Sequence, residues 1–286
     1  MNDLHGLDGL ITPPLARRGF MMTSLVTGLT LATARVEAQA IHTDMAGIEA
    51  GEVKIKVADG EMPGYFAKPA GAGPFPIVLV NEEIFGIHDY IKDVCRRLAK
   101  QGYAAVAVEI YARLADLSKL TDPGEVIRSV VPKSSDALML SDSDAAIAYA
   151  AAHGGDAKRQ AVIGFCRGGR NAWLYAAHSK SLKAAVAYYG QLRGTVSELQ
   201  PKTAMDIAGQ VNCPVLGLYG GSDSSISTDD VRAAEAIVKA SGHKAEMVIY
   251  PGAGHAFHAD YRPSYNKAAA EDGWKRMLDW FKQNGM

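Results

Sequence analysis

A cysteine held between glycines is the first chemical signal in this chain. Cys166 lies in Gly164-Phe165-Cys166-Arg167-Gly168-Gly169, directly behind the apolar run Ala161-Val162-Ile163. A G-x-C-x-G pattern between a short strand and a helix predicts a nucleophile elbow, with sulfur where serine is the commoner choice. Such a turn strains the backbone of the nucleophile, and only small neighbours let the chain pass so close to itself. The sulfur should stand above a sheet at the N-terminus of a helix from about Arg167 to Ala177. There the helix dipole and free N–H groups favour a thiolate.

The other parts of an acyl-transfer machine follow downstream. The predicted strand Val215–Tyr219 ends in Gly220-Gly221-Ser222-Asp223, and Met247–Tyr250 ends in Pro251-Gly252-Ala253-Gly254-His255. Nucleophile, acid and histidine therefore appear in the chain order of α/β-hydrolases, 57 and 32 residues apart. His255 would take the thiol proton or hold a thiolate as an ion pair, and Asp223 would fix the imidazole tautomer. Asp223 also suits a plain turn after two glycines. Asp229 and Asp230 fit better at the start of the next helix, complementing its dipole. His243 precedes its strand and so falls at the wrong end of the sheet, while His258 remains a rival to His255.

Two further segments fall at strand ends. Asn81-Glu82-Glu83-Ile84-Phe85-Gly86 follows the apolar strand Ile77–Val80, and its carboxylates either face a site or are solvated loop charges. Tyr111-Ala112-Arg113 follows the strand ending at Val108. Arg113 could grip a carboxylate bidentately or simply pair on the surface with Glu109 or Asp116.

The elements that must position these residues alternate between strand and helix after residue 50. Val53–Val57 and Gly64–Lys68 read as an opening hairpin, and Tyr90–Gln101 as a helix before the strand Tyr103–Val108. A long irregular stretch with Pro123 and Pro132 follows, then a helix over Ser141–Ala152. Further strands are expected at Ala184–Tyr188, Pro214–Tyr219 and Glu246–Tyr250, with helices at Asp229–Ser241 and Tyr265–Gln283. The pattern predicts an α/β fold with a mostly parallel central sheet and helices on both faces. Ligands in such sheets bind at the carboxyl ends of the strands, where Glu83, Arg113, Cys166, Asp223 and His255 all fall.

Composition bounds the alternatives. The 286 residues are 48% hydrophobic and carry 30 basic against 31 acidic side chains. That balance gives no reason to expect nucleic acid or an anionic membrane as partner. Residues 1–40 differ from the rest. Arg17-Arg18 precede Phe20, a weakly apolar stretch runs to Ala34, and Ala38-Gln39-Ala40 supplies a small-x-small cleavage pattern. Together they predict a twin-arginine export signal and a periplasmic protein, with a disordered extension on a cytoplasmic protein as the alternative. The apolar run is too short for a permanent membrane span. Residues 41–286 then form one domain. Cys95, Cys166 and Cys213 lack metal-type spacing and are expected to be free thiols. Export would put a reactive thiol at risk of oxidation.

Taken together these motifs resemble the dienelactone hydrolase (carboxymethylenebutenolidase) family over roughly residues 50–283. The resemblance rests on Glu83-Ile84-Phe85-Gly86, Tyr111-Ala112-Arg113, Gly164-Phe165-Cys166-Arg167-Gly168-Gly169, Gly220-Gly221-Ser222-Asp223 and Gly254-His255-Ala256-Phe257. It implies that Cys166, Asp223 and His255 are a catalytic triad and that Glu83 is the glutamate that approaches the thiol until a ligand moves it. It further implies an oxyanion hole from the N–H groups of Ile84 and Arg167, and a substrate carboxylate held by Arg113. No metal or cofactor is implied, and a monomer acting on a small lactone or ester is expected. The sequence departs from the family at Ala259, where its best-known members place a second arginine; His258 and Arg262 are the nearby substitutes. It departs again at Arg167, which adds positive charge where a small or apolar residue is usual. An esterase or thioesterase on other acyl substrates, or a non-catalytic binding protein, are the rival readings.

Overall fold

The computed structural model describes residues 40–120 and 122–286. The export segment falls on residues 1–39 and so lies outside the described residues. Eight strands form one sheet in the order β1-β2-β4-β3-β5-β6-β7-β8. β1 (Ile48–Val57) and β2 (Gly60–Pro69) make the opening hairpin, which joins β4 antiparallel. The strands β3 (Phe75–Asn81), β4 (Ala104–Val108), β5 (Gly155–Phe165), β6 (Leu182–Tyr188), β7 (Val215–Gly220) and β8 (Ala245–Tyr250) run parallel. The sheet is thus mostly parallel, as the alternating pattern predicts.

Every residue of β4 is buried, as is each from Ile77 to Asn81 in β3. A strand buried on both faces needs cover on both, which explains its unbroken run of small and branched apolar residues. The cover comes from α1 (Asp89–Lys100), α2 (Asp136–Ala152), α3 (Arg167–His178), α4 (Thr228–Ala240) and α5 (Lys267–Gln283). α2 starts five residues before the expected Ser141. Its first turn is nucleated by Ser135, whose hydroxyl accepts the Leu138 N–H. The irregular stretch between β4 and α2 resolves into short helical turns, including Val126–Val130, with Val126 and Val130 buried against Ile84 and Tyr111. It therefore packs beside the loop that follows β3. Among the described residues, no helix is long and apolar enough to cross a membrane.

Candidate active site

Glu83, Arg113, Cys166, Asp223 and His255 all follow the carboxyl ends of the parallel strands. Cys166 follows β5 directly and takes φ 54° and ψ −114°, a conformation that non-glycine residues avoid. Strain of this kind costs about 1–3 kcal/mol and persists only where the surroundings enforce it. They do so here. The Cys166 N–H donates to the Tyr188 carbonyl at 3.1 Å, and the Cys166 carbonyl accepts from Gly169 at 3.0 Å. A Cβ at Gly164 would lie 1.9 Å from the Gly168 carbonyl oxygen, and one at Gly168 would meet the carbonyls of Asn81 and Glu82 at 2.3 and 2.4 Å. Glycine is required at both positions so that strand, turn and helix can stack.

His255 and Asp223 meet at this turn from the loops after β8 and β7. His255 Nδ1 lies 2.7 Å from Asp223 Oδ2. The other Asp223 oxygen accepts from the Ser225 N–H at 2.8 Å and its hydroxyl at 2.6 Å. Burial alone would raise the Asp223 pKa. The contact with His255 and the two from Ser225 outweigh it and hold the carboxyl below its usual range. For His255, burial opposes the charged form. The Cys166 sulfur, the strongest of the favourable influences, and Asp223 override that and raise its pKa to about 10. The sulfur acts mainly through its charge, and Nε2 makes no hydrogen bond among the described residues. Tyr189 packs edge-on against the imidazole, its ring 5.2 Å away.

The donors expected for an oxyanion are free. Arg167 is the first residue of α3, so its N–H has no acceptor within the helix. The Ile84 N–H donates to no described residue.

Glu83 is fully buried but tied away from the thiol. Its Oε2 accepts from the Tyr261 hydroxyl at 2.5 Å and lies 3.6 Å from His88 Nε2, and its Oε1 is 3.8 Å from Arg262. Oε1 accepts no hydrogen bond, so neither oxygen holds the Cys166 proton. Burial alone would raise its pKa, but the Arg262 guanidinium, then His88 and Tyr261, bring it down to about 2. The resting contact between glutamate and thiol that the resemblance implies is therefore absent. A tyrosine and an arginine next to each other in sequence compete for the carboxylate and win it.

Arg113 also departs from expectation. Its Nε and Nη2 bind Asp59 at 2.8 and 2.5 Å, while Nη1 and Nη2 bind Asp142. The guanidinium is shared by two resident carboxylates, neither of them the expected Glu109 or Asp116, and is not presented to a ligand. His258 is no substitute for the missing second arginine. It is buried, its Nδ1 sits 2.7 Å from the Tyr90 hydroxyl, and burial depresses its pKa to about 3, so it is neutral. Arg262 is taken up by Glu83 and by the Phe85 ring, 4.9 Å from its guanidinium carbon. Tyr261 and His88 carry no signal in the sequence; only the folded chain brings them to Glu83. Among the described residues no cluster of metal-binding side chains is present.

Residues 62–285 match the dienelactone hydrolase family. A Methylorubrum extorquens protein named "Putative carboxymethylenebutenolidase" is 51% identical over 99% of this chain and 98% of its own. A protein of the same name from Escherichia coli K12 is 46% identical over 93% of this chain and 98% of its own. The crystal structure of a "Putative Dienelactone Hydrolase" from Klebsiella pneumoniae superposes with a TM-score of 0.80 at 51% identity. That match covers 82% of this chain and 99% of the other.

Proposed function

The chain belongs to the dienelactone hydrolase family of α/β-hydrolases, and from that premise we propose that it opens lactones or esters through a covalent acyl-cysteine. The Cys166 thiolate attacks the carbonyl carbon, and the N–H groups of Ile84 and Arg167 receive the charge that develops on the carbonyl oxygen. The carbon–oxygen ester bond breaks, and the departing oxygen takes its proton from His255. A thioester remains. His255, held by Asp223, then removes a proton from water. The resulting hydroxide attacks the thioester, and the sulfur leaves as thiolate. Glu83 acts as a positioning residue: its ties to Tyr261 and Arg262 anchor the loop that carries the Ile84 N–H.

The observation that carries this reading is the strained Cys166 beside an imidazole whose charged form the sulfur and Asp223 favour. A buried structural cysteine would need neither. Cys95 and Cys213 show the contrast: both are buried, and burial pushes the Cys213 thiol up to about 12 and Cys95 higher still. Iodoacetamide should therefore alkylate Cys166 selectively. Turnover of an enol-lactone and of an activated ester should vanish in Cys166→Ala while the melting temperature holds. Undiminished turnover in that variant would remove the proposed mechanism.

A further inference from the structure

Two acidic side chains outside the triad meet between neighbouring strands. Glu82 follows β3 and Glu109 follows β4, and each accepts a backbone N–H from the other's segment. Glu82 Oε1 takes that of Ile110 at 3.0 Å, and Glu109 Oε2 that of Ile87 at 2.7 Å. The remaining oxygens, Glu82 Oε2 and Glu109 Oε1, are buried and have no partner among the described residues. The Glu109 carboxyl is packed against the loop after β3, since a Cβ on Gly86 would meet both of its oxygens at 2.7 Å. The charges nearby are engaged elsewhere. Lys54 and Lys92, which line the adjoining cleft, pair with Glu61 and Glu52. His88 lies 3.6 Å from Glu83, and Asp116 pairs with Lys119. Tyr111 also faces the two carboxyls, and burial keeps its phenol neutral.

Two bare carboxylates have only acceptors to offer each other, and two buried charges without a counter-ion are strongly unfavourable. Burial foremost, and then the charge of Glu109, holds Glu82 well above the usual carboxylate range; burial raises Glu109 as well. The bond between the carboxyls favours the neutral form of Glu82 and the charged form of Glu109, which makes Glu82 the donor. We propose that Glu82 and Glu109 share one proton, and that this bond clamps the loop carrying the Ile84 N–H to the end of β4. The inference rests on the hydrolase reading above and adds two positioning residues to it. Ile84 lies between Glu82 and Ile87, and both ends of that loop are pinned to residues 109 and 110. A hydrogen bond from a neutral acid to a carboxylate is short and strong. It would hold the oxyanion donor in place before the charge arrives.

The proton is read by infrared spectroscopy. The difference between native protein and Glu82→Gln at neutral pH should show the carbonyl stretch of a neutral carboxylic acid, shifted in heavy water. Turnover of p-nitrophenyl acetate reads the positioning. Glu82→Gln keeps an oxygen for the Ile110 N–H and gives Glu109 an amide N–H, so kcat should stay within about twofold of native. Glu82→Leu offers neither, and kcat should fall about 10- to 100-fold with KM little changed, part of the loss expected for a missing oxyanion donor. Should Glu82→Leu fold poorly, the infrared band and the turnover of Glu82→Gln decide. No neutral-acid band overturns this inference alone. So does a Glu82→Gln variant as slow as expected for Glu82→Leu, or a folded Glu82→Leu with native kcat. Failure of the native protein to hydrolyse both this ester and an enol-lactone overturns the hydrolase reading and the positioning role with it.

Discussion

Removing the Cys166 sulfur should release the proton that His255 holds. The imidazole pKa stands at about 10 against an ordinary 6.5, a rise of about 3.5 units or about 5 kcal/mol at 1.36 kcal/mol per unit. Burial works against this rise, the sulfur contributes most to it, and Asp223 supplies the rest. In Cys166→Ala only Asp223 remains to oppose burial, so the midpoint should fall from about 10 back toward the ordinary 6.5. The sign for stability follows. A group whose folded pKa is raised stabilises fully below 6.5, and that contribution fades as pH climbs toward about 10. The native protein should therefore show an alkaline decline in stability across that window, and the variant should lose most of it. NMR titration of nitrogen-labelled histidine reads the midpoint directly. An unchanged midpoint in the variant, or a native midpoint near 6.5, would refute the coupling of sulfur to imidazole.

Other perturbations separate the remaining roles. Glu83→Gln leaves Arg262 buried without its counter-charge and should cost about 3 kcal/mol in urea unfolding near neutral pH. The same figure follows from the fall of the Glu83 pKa from 4.5 to about 2. That contribution is present above 4.5 and lost as pH falls toward about 2, so the variant's acid limb should be flatter. Arg113→Gln should lower stability by about 2 kcal/mol, by stranding the buried Asp142 carboxylate, rather than raise KM for an acid-bearing ester. A raised KM with stability intact would return Arg113 to substrate binding. We propose export on the strength of Arg17-Arg18 and Ala38-Gln39-Ala40; mass spectrometry of protein from its own host should find an N-terminus after Ala40, and a chain starting near Met1 would count against it.

What the sequence made legible was whatever local order controls. The continuous apolar run Ile77–Val80 marked a doubly covered strand, and the glycines around Cys166 marked the turn between β5 and α3. Chain order and strand ends identified Asp223 and His255, which the fold brings within 2.7 Å of each other. The illegible parts depend on partners distant in the chain. Arg113 looked available because Asp59, in the turn of the opening hairpin, and Asp142, in α2, lie 54 and 29 residues away. Glu83 meets Tyr261 across 178 residues, and His258 is neutral because a ring 168 residues away buries and bonds it. β5 begins at Gly155, before its apolar stretch, because Phe75 and Pro76 pair with Gly155 and Asp156. No periodicity announces such an extension.

The contact at Gly168 has a mechanical consequence. The loop after β3 and the first turn of α3 each supply one of the two proposed oxyanion donors, and they touch there with no room for a methyl group. Two segments more than eighty residues apart in the chain are thus jammed into one rigid block, whose gap is fixed by hard-sphere contact and not by any adjustable bond. Neither can breathe without the other. The width of the anion cradle is therefore a property of the sheet beneath it, and should hold for as long as the sheet does.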